Sequence, residues 1–394
     1  MGIAIETNIK QKVLIGIPCL FTGGTEHQTL NLVRILKSEG HNVLIVCYYE
    51  YLDNMVHLFE KFGAEVVLLS PKFKERPRGL KQFFFIFKHF KKLIKSYKPD
   101  VVHIQYMAPG AIPIMASKWY GVETIFATVH QPYTSGHGIL SKLILRLSAK
   151  LCKCFIAVSK NAESSWFGNS AMYNEDKLLK LQPNHFTIYN AVDIDRIENI
   201  QLTTDIKELK KQHGISGQKL VFGVVSRLRH EKGIDLLIEA FRNLVIDTGN
   251  VHLLIIGGGD DEVKLKNEVL KLNIENSVTF FGEVSWEKAM KQMTIMDVVV
   301  VPSRFEGFGL TAAEALVMGK PVVASNVFGL KEVVSDQITG LLFENGNSED
   351  LYLKLKNIIE NTSQYKQFSE NATKYSQQFG LTAYNKKMIS LHKI

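Results

Sequence analysis

The sequence predicts an α/β protein made of two doubly wound, Rossmann-like domains. Apolar runs typical of buried parallel strands alternate with helical patterns from Lys12 to about Asp193, and the alternation restarts at Lys219 after a charged helical stretch. A length of 394 residues and a hydrophobic content of 46% are sufficient for two cores. We expect domains at residues 1–195 and 196–378, a terminal helix at residues 379–394, and a ligand cleft between the domains.

A strand, a glycine-containing loop and a helix follow one another between Met296 and Ser325. The apolar run Val298 to Val301 predicts a buried strand, and a helix is expected to begin near Thr311 and to stop at Gly319. The two glycines of the loop let the backbone approach a ligand closely. Free amides and the positive end of the helix dipole make the start of such a helix an anion site.

Two carboxylates accompany this loop. Glu306 lies within the loop and Glu314 in the first helical turn, so they do not form a same-face helical pair and would contact different parts of a ligand. Each has an ordinary alternative. Thr311 and Glu314 match a capping box, and Glu306 is compatible with a loop acid that has no ligand.

A cationic turn follows an earlier strand candidate. The strand that begins at Val221 leads into a turn with Arg227, Arg229 and Lys232. A guanidinium and an ammonium five residues apart can reach different oxygens of a diphosphate and stabilise it as a leaving group. The alternative is a basic turn that is simply solvated.

Glu306, seven intervening residues and Glu314 resemble the paired-glutamate signature of retaining glycosyltransferases of family 4, which have the GT-B fold. The resemblance implies two Rossmann-like domains facing each other across a cleft and a nucleoside diphosphate-sugar as the donor. It implies that Glu306 contacts the donor sugar and that Glu314 binds the ribose hydroxyls. It assigns the diphosphate to Arg227 and Lys232, with Arg229 at a variable position. The backbone amides that it places against sugar and diphosphate are those of Phe308, Gly309 and Leu310.

The amino half carries further marks of the same resemblance. Gly23 and Gly24 follow the first strand candidate and resemble a loop that packs its backbone against the donor phosphates. His130 ends another strand candidate, and the resemblance places it beside the donor sugar, although a strand-terminal histidine is more often structural. Asn190 precedes Ala191, where the family usually has glycine, and is either an acceptor-side contact or a turn-forming asparagine.

Two other patterns bear on cofactors. Ile256 to Asp260 is rich in glycine, but it lacks the third spaced glycine of a dinucleotide fingerprint and continues into acids. We interpret it as a wall of the nucleotide-base pocket, with Gly282 and Glu283 as neighbours. Cys152 and Cys154 have no histidine or second pair nearby, which favours packing over metal binding. We therefore expect neither a cofactor nor a metal, and a reducing cytoplasm as the location.

The net positive charge of the chain arises entirely from its amino half. Residues 1–200 contain 24 Lys and Arg against 16 Asp and Glu, whereas the remaining residues contain 23 of each. If Lys72 to Lys98 is helical, one face is apolar and Phe85 stands among lysines on the other. The apolar face comprises Leu80, Phe83, Phe84, Phe87, Phe90 and Ile94, and the basic face Lys81, Phe85, Lys88, Lys92 and Lys95.

A second basic ladder lies behind an apolar helix face. Its members are Lys142, Arg146 and Lys150, and the apolar positions are Leu140, Leu143, Ile144, Leu147 and Leu151. The two stretches are either core-facing helices with solvated lysines or a peripheral contact with anionic lipid on the inner face of the cell membrane, in which Phe85 inserts shallowly. No apolar run predicts a membrane span. Nucleic acid is not expected as a partner, because no nucleic-acid-binding motif accompanies the basic stretch.

Together with these patterns, the resemblance implies a retaining, metal-independent glycosyltransferase. Its acceptor would be a hydroxyl, on a glycan or a lipid-linked glycan of a cell-surface polysaccharide or lipopolysaccharide. The catalytic residues implied by the resemblance are His130, Arg227, Lys232 and Glu306. Two alternatives remain open, a sugar-nucleotide epimerase of the same fold and a scaffold subunit without catalysis.

Overall fold

The computed structural model describes residues 10–70, 76–107, 109–215 and 219–392. The chain divides into two compact units, the first comprising Met1–Asn190 with Thr382–Ile394 and the second Ala191–Leu381. Each unit contains a parallel sheet flanked by helices, and the predicted α/β class with two Rossmann-like sheets is confirmed.

Seven parallel strands form the sheet in the described part of the first unit. They are β1 (Lys12–Ile17), β2 (Asn42–Cys47), β3 (Glu65–Leu68), β4 (Val101–Tyr106), β5 (Thr124–Val129), β6 (Cys154–Ala157) and β7 (His185–Thr187). The α-helices that follow the strands are α1 (Gly24–Ser38), α2 (Asp53–Lys61), α3 (Gly79–Tyr97), α4 (Ala111–Trp119), α5 (Gly138–Ala149) and α6 (Lys160–Phe167).

The strand order in this sheet is β3-β2-β1-β4-β5-β6-β7. The order reverses between β1 and β4, and ligands of doubly wound sheets bind outside the carboxyl ends of the strands at such a point. Fully buried strands such as β6 explain why the apolar runs are continuous rather than alternating. One face of the sheet packs against α1 and α2, and the other against α3, α4 and α5.

The second unit begins with two helices in the charged stretch, α7 (Ile194–Thr203) and α8 (Ile206–Gln212). Its strands in the described residues are β8 (Leu220–Val225), β9 (Val251–Ile256), β10 (Val278–Gly282), β11 (Val298–Val301), β12 (Val322–Ser325) and β13 (Gly340–Phe343). Its further α-helices are α9 (Ile234–Thr248), α10 (Glu262–Lys271), α11 (Trp286–Met293), α12 (Leu310–Val317), α13 (Leu330–Val333), α14 (Ser348–Glu360) and α15 (Thr362–Ser376).

The strand order of the second sheet is β10-β9-β8-β11-β12-β13, and all neighbouring strands are parallel. The order reverses between β8 and β11, which pair through Val298 with Phe222 and Val299 with Gly223. The carboxyl ends of β8 and β11 are therefore the expected place for a ligand.

The last helix, α16 (Leu381–His392), packs on the first unit. Met388 and Leu391 are buried in the core that also contains α1 and α2. The imidazole of His392 stacks on that of His103 with ring centroids 5.6 Å apart. The terminal helix therefore contributes a buried aromatic ring to the core of the amino-terminal sheet.

The predicted faces of α3 are partly wrong. The buried residues of this helix are Ile86, Phe90 and Ile94, whereas Phe84 and Leu80, assigned to the apolar face, are 65% and 76% exposed. Phe85, assigned to the lysine face, is half-buried and packs against the core. The core-facing stripe is therefore rotated around the helix axis from the predicted one. It centres on Ile86 and Phe90 rather than on Phe84 and Phe87. The lysines at positions 81, 88, 92 and 95 are exposed, and residues 71–75 lie outside the described part of the chain.

The predicted core-facing side of α5 is largely wrong, whereas Arg146 is exposed, as expected, and Leu151 beyond the end of the helix packs against the core. Leu145, Ser148 and Ala149 are its buried residues. Leu140, Leu143, Ile144 and Leu147, expected to face the core, are exposed. The side of the helix that faces the core is therefore the one that carries Leu145 and Ala149.

Cys152 and Cys154 are both buried and free, as packing requires. Burial raises the pKa of the Cys152 thiol to about 12, so this cysteine is protonated at neutral pH. In the described residues, no helix combines the length and apolar character needed to cross a membrane.

Candidate functional site

The loops that follow β8 and β11 meet at the carboxyl edge of the second sheet. Lys232, in the short 3-10 turn His230–Lys232 after β8, donates a 2.6 Å hydrogen bond from Nζ to Glu306 Oε2 in the loop after β11. Their side chains are 17% and 20% exposed. Because both side chains still reach solvent, each can bind a charged or polar ligand group while it keeps part of its contact with the other.

Gly233 brings the two loops into contact. Its φ is +66°, and a Cβ at this position would collide with the carbonyl oxygen of Pro302, the residue directly after β11. Only glycine combines this left-handed conformation with so close a backbone approach. Gly233 therefore sets the separation between the Lys232 turn and the Glu306 loop.

Arg304 braces the same two loops, and the sequence analysis did not identify it. Its guanidinium donates two hydrogen bonds of 2.7 Å to the carboxylate of Asp235 at the start of α9 and one of 2.8 Å to the carbonyl of His230. Burial opposes ionisation of Asp235, but the hydrogen bonds and charge of Arg304 outweigh it and lower the pKa of that carboxyl. The only sequence signal was an arginine two positions before Glu306, which carries no information about its partner.

The loop after β11 ends in the helix start expected for an anion site. Gly309 precedes α12 with a φ of +101°, and a Cβ at Gly329 would collide with the carbonyl oxygen of Gly307. The side chain of Phe308 is buried and packs edge-on against Phe379, with ring centroids 5.4 Å apart. Phe308 can therefore meet a ligand only through its backbone.

The capping box that the sequence suggested for Glu314 is not formed. The residue that caps α12 is Gly309, with no side-chain cap, and the helix begins at Leu310. Thr311 Oγ1 donates a 3.1 Å hydrogen bond to the carbonyl of Val225 at the end of β8. Thr311 therefore joins the helix start to the neighbouring strand.

Glu314 is buried on α12 and accepts a 2.7 Å hydrogen bond from the indole Nε1 of Trp286, the first residue of α11. Burial raises the pKa of Glu314 to about 7, and the hydrogen bond from Trp286 acts in the opposite direction. The guanidinium of Arg196 lies 4.5 Å from the centre of the Trp286 ring. Trp286 was not predicted, because nothing in the local sequence relates it to a carboxylate 28 positions away.

The remaining cations lie on the loop after β8. Arg227 is exposed, and the exposed Arg229 lies 3.5 Å from a carboxylate oxygen of Asp260. The backbone of this loop is bonded to the glycine-rich loop after β9, since Leu228 donates to Gly258 and accepts from Asp261. The glycine-rich loop in turn contacts Glu283, so the three loops after β8, β9 and β10 form one continuous edge.

The predicted residues of the amino half lie in the first unit. Gly23 immediately precedes α1, and Gly24 is the first residue of that helix. His130 follows β5, is buried, and its Nε2 lies 2.7 Å from Gln105 Oε1. Burial lowers the pKa of His130 to about 4, so the imidazole is neutral at physiological pH. His130 and Asn190 line the same small internal cavity, together with His103 and Thr128.

The structure thus brings Lys232 and Glu306 into direct contact at the start of α12 and holds their loops with Gly233 and Arg304. Glu314 lies further along α12, bonded to Trp286. An ammonium, a carboxylate and a helix N-terminus at one sheet edge can bind a phosphorylated ligand that also carries hydroxyl groups.

Comparisons with known proteins identify two matching families. Residues 205–375 match Glycosyl transferases group 1, and residues 22–167 match Glycosyltransferase Family 4. Together the two matches span most of the chain and both units.

The chain is also similar to curated proteins along most of its length. An uncharacterized glycosyltransferase of Methanocaldococcus jannaschii is 27% identical, over 91% of this chain and 91% of the relative. N-acetyl-alpha-D-glucosaminyl L-malate synthase of Bacillus anthracis is 24% identical over 92% and 91%. Alpha-monoglucosyldiacylglycerol synthase of Acholeplasma laidlawii is 24% identical over 90% and 95%.

Solved structures share the fold. Anabaena HepE, crystallised in complex with UDP and glucose, is 22% identical, with a TM-score of 0.78 over 97% of this chain and 99% of that one. WaaG, a glycosyltransferase involved in lipopolysaccharide biosynthesis, is 18% identical, with a TM-score of 0.72 over 95% and 98%.

Proposed function

Because the chain belongs to the family 4 glycosyltransferases of GT-B fold, we propose that it transfers a sugar, with retention of configuration, from a nucleoside diphosphate-sugar to a hydroxyl acceptor. The observation that carries the proposal is the Lys232–Glu306 pair at the start of α12, where the order of strands reverses. A donor of this class has a dianionic diphosphate and a polyhydroxylated sugar, and the site offers a complementary group for each.

The diphosphate is assigned to Lys232, Arg227 and the first amides of α12. These amides have no carbonyl partner within their own helix, and the helix dipole favours negative charge at this end. As the bond to the sugar breaks, negative charge grows on the leaving diphosphate, and Lys232 stabilises it. The complexes of Anabaena HepE with UDP and with UDP-glucose make uridine nucleotides the first donors to test.

Glu306 is assigned to the hydroxyls of the transferred sugar. Its Oε2 accepts from Lys232, and its second oxygen can accept from a hydroxyl. The ammonium of Lys232 is then shared between Glu306 and the diphosphate, which fixes the sugar relative to the leaving group. Backbone amides at Phe308, Gly309 and Leu310 complete the wall at this junction.

Glu314 is assigned to the ribose hydroxyls. One of its oxygens accepts from Trp286, so Trp286 orients the carboxylate while the second oxygen remains available to the ribose. The base is assigned to the loop after β9, which contains Gly258 and joins the same edge through Leu228, and to the neighbouring Glu283 after β10. The base is then recognised mainly by backbone groups.

The reaction proposed is attack by the acceptor on the face that the diphosphate leaves. The described residues present no side chain that we assign as a covalent nucleophile, so the sugar passes through an oxocarbenium-like ion pair with the diphosphate. The departing phosphate oxygen takes the proton of the acceptor hydroxyl. His130 is neutral at physiological pH and can donate or accept a hydrogen bond at the sugar, and no cofactor or metal is assigned.

The acceptor proposed is a hydroxyl on a glycan or a lipid-linked glycan. The relatives that support it are alpha-monoglucosyldiacylglycerol synthase and WaaG, a glycosyltransferase involved in lipopolysaccharide biosynthesis. In the amino unit, Asn190 is the candidate acceptor-side contact, beside His130.

The test is donor turnover with a panel of nucleoside diphosphate-sugars and lipid or sugar acceptors, followed by mass spectrometry of the products and NMR of the new anomeric centre. We expect one donor to release its nucleoside diphosphate with a product of retained configuration. Inversion would refute the mechanism. Conversion of the donor to its epimer without acceptor would refute transfer, and nucleotide binding without turnover of any donor would indicate a scaffold subunit.

A further inference from the structure

The outward face of α5 is apolar to a degree that folding of this unit does not explain. Only Leu145, Ser148 and Ala149 of this 12-residue helix are buried. Five aliphatic side chains on its other faces are exposed: Ile139 by 84%, Leu140 by 68%, Leu143 by 53%, Ile144 by 41% and Leu147 by 52%. Their spacing places them on adjoining turns of one helix, so they form a continuous strip.

The neighbouring helices extend this strip. On α4, Trp119 is 77% exposed and Met115 is 44% exposed. On α3, Leu80 and Phe84 are exposed by 76% and 65%. Because α3, α4 and α5 cover the same face of the sheet, their outward side chains share one side of the unit. We refer to these nine apolar residues as the α3–α5 surface. Large exposed apolar patches of this kind mark interaction sites.

The charge around this surface has one sign. The helices α3, α4 and α5 contain eight Lys or Arg residues and no Asp or Glu. The basic residues are Lys81, Lys88, Lys91, Lys92, Lys95, Lys118, Lys142 and Arg146, and all but Lys142 are exposed. The partner of this surface must therefore be apolar in part and negatively charged.

We propose that the α3–α5 surface docks the amino-terminal unit onto an anionic lipid bilayer. The aliphatic strip of α5 and Trp119 enter the boundary between headgroups and acyl chains, and the lysines of α3 contact the lipid phosphates. Long lysine side chains suit this arrangement because their stems lie along apolar surface while the ammonium reaches the headgroups. A protein partner is less suited, since lysine is depleted in protein interfaces. The inserting residues are thus Trp119 and the aliphatic strip of α5, and not Phe85, which packs against the core.

Flotation of the full chain with vesicles tests the docking directly, and its readout does not depend on sugar transfer. We expect binding to vesicles of phosphatidylcholine with 40% phosphatidylglycerol, a loss of binding at about 1 M salt, and at least tenfold weaker binding to pure phosphatidylcholine. Binding should shift the fluorescence of Trp119 to shorter wavelength, and Trp119→Phe should abolish most of that shift.

Two variants separate the apolar and the charged contributions. Leu143→Gln with Leu147→Gln should weaken binding at least tenfold, and so should Lys88→Glu with Lys92→Glu and Lys95→Glu. The matched controls lie on exposed positions of the second unit, Leu202→Gln with Leu270→Gln, and Lys264→Glu with Lys271→Glu and Lys366→Glu. Each control should change the affinity by less than twofold. Circular dichroism checks that all variants remain folded.

The proposal is wrong if the wild-type protein does not float with anionic vesicles, if it binds neutral and anionic vesicles equally, or if the α5 variant and its control bind alike. It is also wrong if the wild-type protein is a dimer that fails to bind vesicles and that Leu143→Gln with Leu147→Gln converts to a monomer. The surface would then be an interface between two copies.

Discussion

Lys232 and Glu306, which are 74 positions apart in the sequence, share a 2.6 Å hydrogen bond between the loops that follow two adjacent strands. The contact depends on the strand order, because β8 and β11 are neighbours at the point where that order reverses. The pair places one positive and one negative group beside the start of α12. This is the arrangement from which the proposed donor site is built.

Replacement of Lys232 should separate catalysis from folding. We expect Lys232→Ala to lower kcat/KM for transfer by about 100-fold or more, because it removes a cation that stabilises the leaving diphosphate. Its free energy of unfolding should change by only about 1 kcal/mol, since the pair is partly exposed. Steady-state kinetics and urea denaturation measure the two effects, with Lys264→Ala as the control. Near-normal turnover of Lys232→Ala would remove its assigned role.

The two ends of α9 offer a matched test of backbone approach. Gly233 and Gly249 precede and follow this helix with φ values of +66° and +63°, but only a Cβ at Gly233 would collide with backbone. Gly249→Ala should therefore lower the free energy of unfolding by about 1 kcal/mol, and Gly233→Ala by about 2 kcal/mol or more. Equal losses in denaturation experiments would show that the contact with Pro302 has no energetic importance.

Glu314 should make the protein less stable as the pH rises. Its folded pKa is about 7 and its ordinary value is 4.5, so the folded state binds more protons between these values. The stabilisation is complete below pH 4.5 and is lost as the pH rises through 7, by up to about 3 kcal/mol. Glu314→Gln keeps an acceptor for Trp286 and should flatten this dependence when unfolding is measured between pH 4.5 and 8. The same slope in both proteins would contradict the raised pKa.

His392 should act in the opposite direction in the amino unit. Burial lowers its pKa from 6.5 to about 4, so the unfolded state binds more protons between these values. The stabilisation is present above pH 6.5 and is lost as the pH falls through 4, by up to about 3 kcal/mol. Relative to its own stability at pH 7.5, His392→Phe should lose less on acidification than the wild-type protein. His57→Gln, at an exposed position, serves as the control, and an unchanged acid slope in His392→Phe would exclude the histidine as its source.

Sequence patterns predicted the two sheets because buried parallel strands leave continuous apolar runs, such as Val298 to Val301, that glycine loops interrupt. The family resemblance, together with their place in loops after such runs, singled out Glu306 and Lys232 as candidate site residues. The hydrogen bond between them could not be predicted, because it depends on the strand order, which cannot be read from the sequence alone.

Side-chain partners and helix faces were harder to predict. The local spacing of Thr311 and Glu314 suggested a cap, but tertiary contacts from Val225 and Trp286 determine what each side chain binds. On α5 the apolar residues surround most of the helix, so periodicity does not distinguish the buried face from the exposed one. The exposed strip is defined by the burial of Leu145, Ser148 and Ala149 on the opposite side of the helix.

The most direct test of the donor site compares two ligands that differ only by the sugar. Calorimetry would measure the binding of a nucleoside diphosphate and of its glycosylated form, beginning with UDP and UDP-glucose, to the wild-type protein, Lys232→Ala and Glu306→Gln. We predict that Lys232→Ala weakens both ligands by about tenfold or more, whereas Glu306→Gln weakens only the nucleotide-sugar to that extent. Equal effects of Glu306→Gln on the two ligands, or no effect of Lys232→Ala on either, would contradict the assignment of the sugar to Glu306 and of the diphosphate to Lys232.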